Sequence, residues 1–429
     1  MHDRSALALP ALSPLAGHLD PSFAVNGKAS VHFADHLSCM TTGLSLDHTD
    51  RILVAARINS AQGCRFGLTR LDQNGAIDAG FGRHGCVIDA FERGFEATAG
   101  KVFELPNGHI LLAGLHYEDA DHTLPALALF DQQGRPVPGF GDAGRQVIRL
   151  CGNLSRGVRD PWLPPGVPGL EACDVSVQAD GRILLLANHH YQPSDHVGVL
   201  IRLLPDGALD CSFNGRGFVI VRRSLKNTWL GCLTLQADGN ILVGGAIDLP
   251  QRGLMARYDP SGKLDDSFGE DGFVAIAAGE RSALVSQIVE RANGDLIALG
   301  SRRDPMQCLS LNVRKNGQPD PDWNLGQCQL LETGRHPSHW TAARLQPDGK
   351  LLTVGATLGG IEADFLVARH LPDARLDPTF GDGSGQVRTR LGHSLDTANA
   401  VAVQADGKIL VGGYSLFGAY RAVVARYWG

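Results

Sequence analysis

Val403-Gln404-Ala405-Asp406-Gly407-Lys408-Ile409-Leu410-Val411-Gly412-Gly413 decides how the chain is read, because it recurs. Val177-Gln178-Ala179-Asp180-Gly181-Arg182-Ile183-Leu184, Leu235-Gln236-Ala237-Asp238-Gly239-Asn240-Ile241-Leu242 and Leu345-Gln346-Pro347-Asp348-Gly349-Lys350-Leu351-Leu352 are close copies. Weaker copies centre on Asp50-Arg51, Asn107-Gly108 and Asn293-Gly294. The apolar residue after each turn falls at Ile52, Ile110, Ile183, Ile241, Leu296, Leu351 and Ile409, with gaps of 58, 73, 58, 55, 55 and 58 residues. A fixed period of this size marks a repeat architecture.

A second phrase runs in phase with the first. Leu264-Asp265-Asp266-Ser267-Phe268-Gly269 matches Leu376-Asp377-Pro378-Thr379-Phe380-Gly381 and Leu209-Asp210-Cys211-Ser212-Phe213. Its aromatic recurs at Phe23, Phe81, Phe140, Phe213, Phe268, Trp323 and Phe380. Each unit reads as four short strands. In the last units these are Ala400–Val403 before an Asp-Gly turn, Lys408–Val411 after it, then strands like Phe365–Arg369 and Gly385–Thr389. Asp-Gly predicts a two-residue hairpin, since both positions tolerate positive φ. The aromatic of the second phrase is expected to anchor its loop and plug the gap between units.

The chain opens on half a unit, Leu19–Phe23 and Gly27–Phe33, and closes on the complementary half, Ala422–Tyr427. Pairing these halves leaves no open sheet edge, whereas a solenoid would need polar caps. The expected fold is therefore all-β: a seven-bladed β-propeller of four-stranded blades, its ring closed by an N-terminal strand that completes the last blade. Residues 1–18 form a tail. The blades occupy about 41–89, 99–148, 173–221, 231–276, 285–331, 340–389 and 398–429 plus 19–33, with an insertion at 150–172.

These phrases resemble the delta-60 repeat family of bacterial β-propellers. The resemblance covers about residues 19–429 and is strongest in blades three, four, six and seven. It departs at Asp50-Arg51, which lacks the glycine, and at Trp323-Asn324 in place of Phe-Gly. It implies a fold and carries over no catalytic or binding residue.

Composition narrows the function classes. With 53 glycines in 429 residues, glycine exceeds the usual ~7%, in keeping with many tight turns. A net charge of −6 provides no basic footprint for nucleic acid. No apolar run is long enough for a transmembrane helix. The N-terminal residues make a poor secretory signal, and nine cysteines without a C-x-x-C pair suit reduced thiols. The expected location is the cytoplasm, and the sequence calls for no cofactor. There is no G-x-S-x-G, H-E-x-x-H or phosphate loop.

The repeated turns share one face, so the unrepeated loops fall on the other, where binding residues are expected. The insertion carries Trp162, and Trp229 and Trp340 stand on inter-blade loops. Tyr117 and Tyr191 lie near this face, with Arg222, Arg223, Arg302, Arg303 and Arg335. Exposed aromatic and Arg side chains suit an interface or sugar site; the tryptophans could equally pack beneath their own loops. Two loops on adjacent blades are rich in metal-ligand types: His116, Asp121 and His122 in one, His189, His190 and His196 in the other. The primary expectation is a non-enzymatic scaffold that contacts a protein or glycan. The alternative is a hydrolase or lyase that acts on a carbohydrate or small molecule in a central pocket.

Overall fold

The computed structural model describes residues 15–429 apart from 34–37, 61–62, 119–122, 151–173, 193–194, 225, 249–250, 332, 334–335, 360–361 and 393–394. The chain is all-β and is built from repeated antiparallel sheets of four sequential strands. Ser38–Leu46, Ile52–Ser60, Gly63–Leu71 and Cys86–Asp89 form the first, and each later unit repeats that order. The last two units join in one eight-stranded sheet through a single parallel bridge, Ala363 to Leu395. Its outer edge is the N-terminal strand Lys28–Val31, paired antiparallel with Ala419–Tyr427. The first strand of each sheet packs on the first strand of the next, and Leu395–Val403 packs in turn on Ser38–Leu46.

The repeated turns differ from the expected type. In the last unit Gln404 N–H donates to the Lys408 carbonyl and Gly407 N–H to the Gln404 carbonyl. Only Gly407, at φ +85°, is left-handed. This is a three-residue loop, a type I turn followed by a left-handed residue. The aspartate therefore keeps a negative φ, and Asp406 Oδ1 accepts the Lys408 N–H at 3.1 Å. In the first unit Asp50 takes the glycine's place at φ +65°.

The second phrase is the joint between units. Phe23, Phe81, Phe140, Phe213, Phe268 and Phe380 are completely or almost completely buried. Each of several rings lies against a glycine of the next unit's turn. A Cβ on Gly75 would stand 2.7 Å from Phe23, and one on Gly262 would stand 2.7 Å from Phe213. Above the ring sits a guanidinium: Arg70 over Phe81, Arg202 over Phe213, Arg257 over Phe268, Arg369 over Phe380 and Arg426 over Phe23. Each Arg also pairs with the aspartate of its own phrase, as Arg202 Nε does with Asp210 Oδ2 at 2.7 Å. Arg70, Arg202, Arg257 and Arg426 then donate across the joint to the carbonyls of Gln132, Pro260, Lys315 and Gln73. One buried charge thus finds a carboxylate, a π-face and a carbonyl together, which offsets its desolvation.

The first strands carry a second joint. Six of them hold a one-residue bulge at an equivalent place, among them Ser286, Thr341 and Asn399. Ser286 Oγ donates to the Trp340 carbonyl at 2.8 Å, Thr341 Oγ1 to Ala398 at 2.6 Å and Asn399 Nδ2 to Thr41 at 2.8 Å. A bulge aims an extra side chain out of the ladder, and here that side chain ties one unit to the next.

Candidate functional site

On the face without the repeated turns, the strand Ile110–Tyr117 brings His116 between Ala97 and Leu124 of its neighbours. The imidazole is fully buried, and neither nitrogen has a hydrogen-bond partner. Phe95 covers it with ring centroids 4.8 Å apart, while Phe95 itself stays 38% exposed. His116 Nε2 lies 3.8 Å from Glu92 Oε2. Burial depresses the proton affinity of His116, and the Arg149 charge adds to this against the opposing pull of Glu92 and Glu118. The ring is therefore neutral at pH 7.

Arg149 follows the strand Arg145–Val147 and completes the group. Its Nη1 and Nη2 grip Glu92 Oε1 and Oε2 at 2.6 and 3.0 Å, while Nε and Nη2 meet Glu118 Oε1 at 3.2 and 3.1 Å. The hydrogen bonds from Arg149 hold the Glu92 carboxyl below its usual range. One guanidinium therefore serves two carboxylates, and all three side chains reach solvent beside an exposed aromatic ring. Such a group can stack against a sugar face, accept and donate hydrogen bonds to hydroxyls and exchange protons through a carboxyl.

The residues singled out in the sequence are dispersed. Trp229 and Trp340 are buried, so neither is an exposed anchor. Both lie in the opening residues of first strands, Thr228–Leu235 and Ser338–Leu345, which begin a few residues earlier than the repeat suggested. Trp229 meets His196 edge to face at 6.4 Å, and Trp340 meets His370 at 6.1 Å. Tyr117 is half-buried against the core beside the candidate group. Arg223 pairs with Glu270 at 2.5 Å, Arg302 bonds Gln307, and Arg222 and Arg303 are half-buried. Trp162, Arg335, Asp121 and His122 lie outside the described residues, as do the side chains of His190 and Tyr191. His189 is buried, and His196 stands 3.6 Å from Asp248. Among the described residues, His116, His189 and His196 included, no three His, Cys, Asp or Glu side chains gather as a metal would require.

A cavity of about 460 Å³ opens on the opposite, repeated face, lined by His48, Glu104, Leu105, Pro106, Asn107, Gly108 and Gln132. Its ionisable pair is structural. His48 donates its N–H to Glu104 Oε2 at 2.6 Å and sets Nδ1 2.8 Å from Oε1. Two units meet in the same way where Gln236 and the Ala237 N–H bond Glu290 at 2.9 and 3.0 Å.

Residues 236–268, 346–380 and 404–428 match the family described as Domain of unknown function (DUF5122) beta-propeller, so the repeat is a β-propeller repeat. No curated protein matches the chain. Among solved structures it resembles a puromycin-hydrolyzing peptidase of Mycobacterium tuberculosis, at 12% identity and TM-score 0.50 over 94% of this chain and 53% of that one. It also resembles the polysaccharide lyase Uly1, at 14% identity and TM-score 0.49 over 95% of this chain and 92% of that one. A third is the GH74 xyloglucanase from Xanthomonas campestris, at 14% identity and TM-score 0.44 over 92% of this chain and 55% of that one. The chain spans about half the length of the peptidase and the xyloglucanase. These likenesses are likenesses of fold. They nevertheless correct one expectation. Several of the solved structures it resembles are titled as enzymes, among them polysaccharide lyases, a sialidase and a xyloglucanase, and the primary expectation of a non-enzymatic scaffold is set aside on that finding. No helix among the described residues is long and apolar enough to cross a membrane.

Proposed function

We propose that the chain is a closed seven-bladed propeller of the delta-60 type, acting as a hydrolase or lyase on a carbohydrate. Closure is supported by contacts between the two ends of the repeat array. Asn399 donates to the Thr41 carbonyl, Arg426 reaches Gln73, and Lys28–Val31 lies along Ala419–Tyr427. Seven copies of each repeated phrase support the blade number.

The observation that carries the activity is the group of Glu92, Phe95, His116, Glu118 and Arg149. It joins an exposed aromatic to two carboxylates, one guanidinium and a neutral buried imidazole. Phe95 is the stacking surface for a pyranose ring. Glu118, less fully engaged by Arg149 than Glu92 is, is the proton-transferring group. Arg149 keeps Glu92 ionised. His116 is fully buried and reaches a ligand only through Glu92.

The purified protein is to be incubated with a panel of neutral and uronate-containing polysaccharides. New reducing ends report hydrolysis, and ultraviolet absorbance from an unsaturated product reports elimination. Glu118→Gln should lower kcat about 100-fold or more without moving Tm, and Phe95→Ala should raise KM. An active wild type whose rate is untouched by both substitutions would place the chemistry elsewhere.

A further inference from the structure

Arg149 lies within hydrogen-bond reach of two carboxylates, Glu92 and Glu118. It holds Glu92 in the two-pronged way a guanidinium holds any planar carboxylate. Behind Glu92 stands His116, fully buried, with no hydrogen bond on either nitrogen and Nε2 3.8 Å from the Oε2 that Arg149 shares. A buried polar group without a partner is costly, and Glu92 would satisfy this one after a small movement.

We propose that the site takes a sugar carboxylate on Arg149 in place of Glu92, and that binding is coupled to uptake of one proton by His116. Protonated His116 donates to Glu92 and becomes its counter-ion. Glu118 stays on Arg149 Nε, and the Nη1 and Nη2 edge is released to a ligand carboxylate of the same shape. Without that proton, a ligand anion would join two carboxylates around one guanidinium. Among the described residues, the other charged groups near His116 are few. Glu96 lies beside its strand partner Ala97, Arg93 lies next to Glu92, and the partner strand Thr123–Phe130 carries no charge. Burial and Arg149 already hold the imidazole neutral in the free protein, so the proton arrives with the ligand.

This inference rests on the reading of the group as a glycan site. The test is calorimetric titration of the full chain with a glucuronate-containing trisaccharide and its uncharged glucose counterpart. Each titration is run at pH 5, 6 and 7.5 in two buffers of different ionisation enthalpy. The expected result is acid-favoured binding of the uronate alone, weakening about tenfold per pH unit where His116 titrates, with uptake of close to one proton. His116→Gln should abolish both the pH dependence and the uptake. Glu92→Gln should bind the uronate at pH 7.5. The wild-type proton count needs no variant, so a misfolded substitution cannot obscure it. Uronate binding that is independent of pH, or binding of the neutral sugar only, would overturn the proposal and leave the glycan site standing. Failure of both sugars to bind at every pH would overturn the glycan site and this inference with it.

Discussion

Two buried histidines show how position decides what an imidazole does. His370 sits in the core with Nε2 3.1 Å from Thr353 Oγ1, and burial pushes its pKa down to about 4. His116 is equally buried but faces a carboxylate and lacks hydrogen bonds. For His370, the unfolded chain binds the proton from about pH 6.5 downward and the folded chain only near pH 4. Its contribution is thus complete above pH 6.5 and lost as the pH falls toward 4. Asp377 shows the same pH sense, although here it is the charged form that the fold favours. Although burial opposes it, hydrogen bonds from Thr379 and the charge of Arg369 bring it down to about 2. Its contribution holds above pH 3.8 and is lost as the pH falls toward 2. The unfolding free energy of His370→Gln from urea titration should therefore fall less than that of the wild type between pH 7 and 4, by about 1–3 kcal/mol. Parallel pH curves would show that His370 does not carry the acid sensitivity. At this scale the sequence was partly legible. The recurrent phrase located the turns, but pairwise preference for positive φ could not separate a two-residue hairpin from a type I turn closed by glycine. That distinction lies in the Gln404–Lys408 hydrogen bond.

The element that defines the fold is the joint of Phe, Arg, Asp and glycine, and its exceptions are informative. In the second unit Leu129 and Val137 stand where the others have Arg and Asp, and they make the same backbone hydrogen bond as Arg70 and Asp78. In the fifth, Asn312 takes the Arg position and bonds Asp320 at 2.6 Å. Arg291 then approaches from the turn instead, lying over Trp323 and donating to the Pro372 carbonyl. A guanidinium over the aromatic and a bond across the joint are kept although the residue supplying them moves. The second unit shows that an apolar pair also fits. Arg202→Leu alone should cost about 3–5 kcal/mol, because it strands the buried Asp210 carboxylate. Adding Asp210→Val should recover most of that loss in the same thermal or urea titration. A double variant no better than the single one would show that the bond to Pro260, and not the ion pair, holds the joint. The Arg–Asp spacing of eight residues recurs at 70/78, 202/210, 257/265 and 369/377, so this joint could have been read from sequence. The candidate site could not. Glu92, Phe95 and Arg149 lie on loops that differ in every unit, and no period flags them. Trp229 and Trp340 drew attention as loop aromatics only because the repeat phrase underestimates where their strands begin.

For the molecule as a whole, the question is whether the contacts between its ends close the array. The ends reproduce a turn that elsewhere is continuous. Gly75 N–H bonds the Asp72 carbonyl and Asp72 N–H the Ala76 carbonyl in the first unit. Between the ends, Gly17 N–H bonds the Trp428 carbonyl at 2.8 Å and Trp428 N–H the His18 carbonyl at 2.9 Å. Gly381 N–H donates to Ala16 as Gly269 N–H does to Asn316. Residues 15–33 thus supply what the last unit lacks: Asp20 for Arg426, Phe23 for the pocket beside Gly75, and a strand that covers Ala419–Tyr427. Deleting residues 1–33 should strand the buried Arg426, open a cavity of phenylalanine size and bare a hydrophobic edge strand. The first two losses cost several kcal/mol together, and the third invites association. Tm should fall by many degrees, with dimers or aggregates in light scattering. The decisive variant moves residues 15–33 to follow Gly429 through a short Gly-Ser linker. It restores every one of these contacts from the other end of the chain, so it should regain nearly the wild-type Tm and remain monomeric. If the deletion alone were stable and monomeric, the array would be open, and the contacts between its ends would be incidental to its stability.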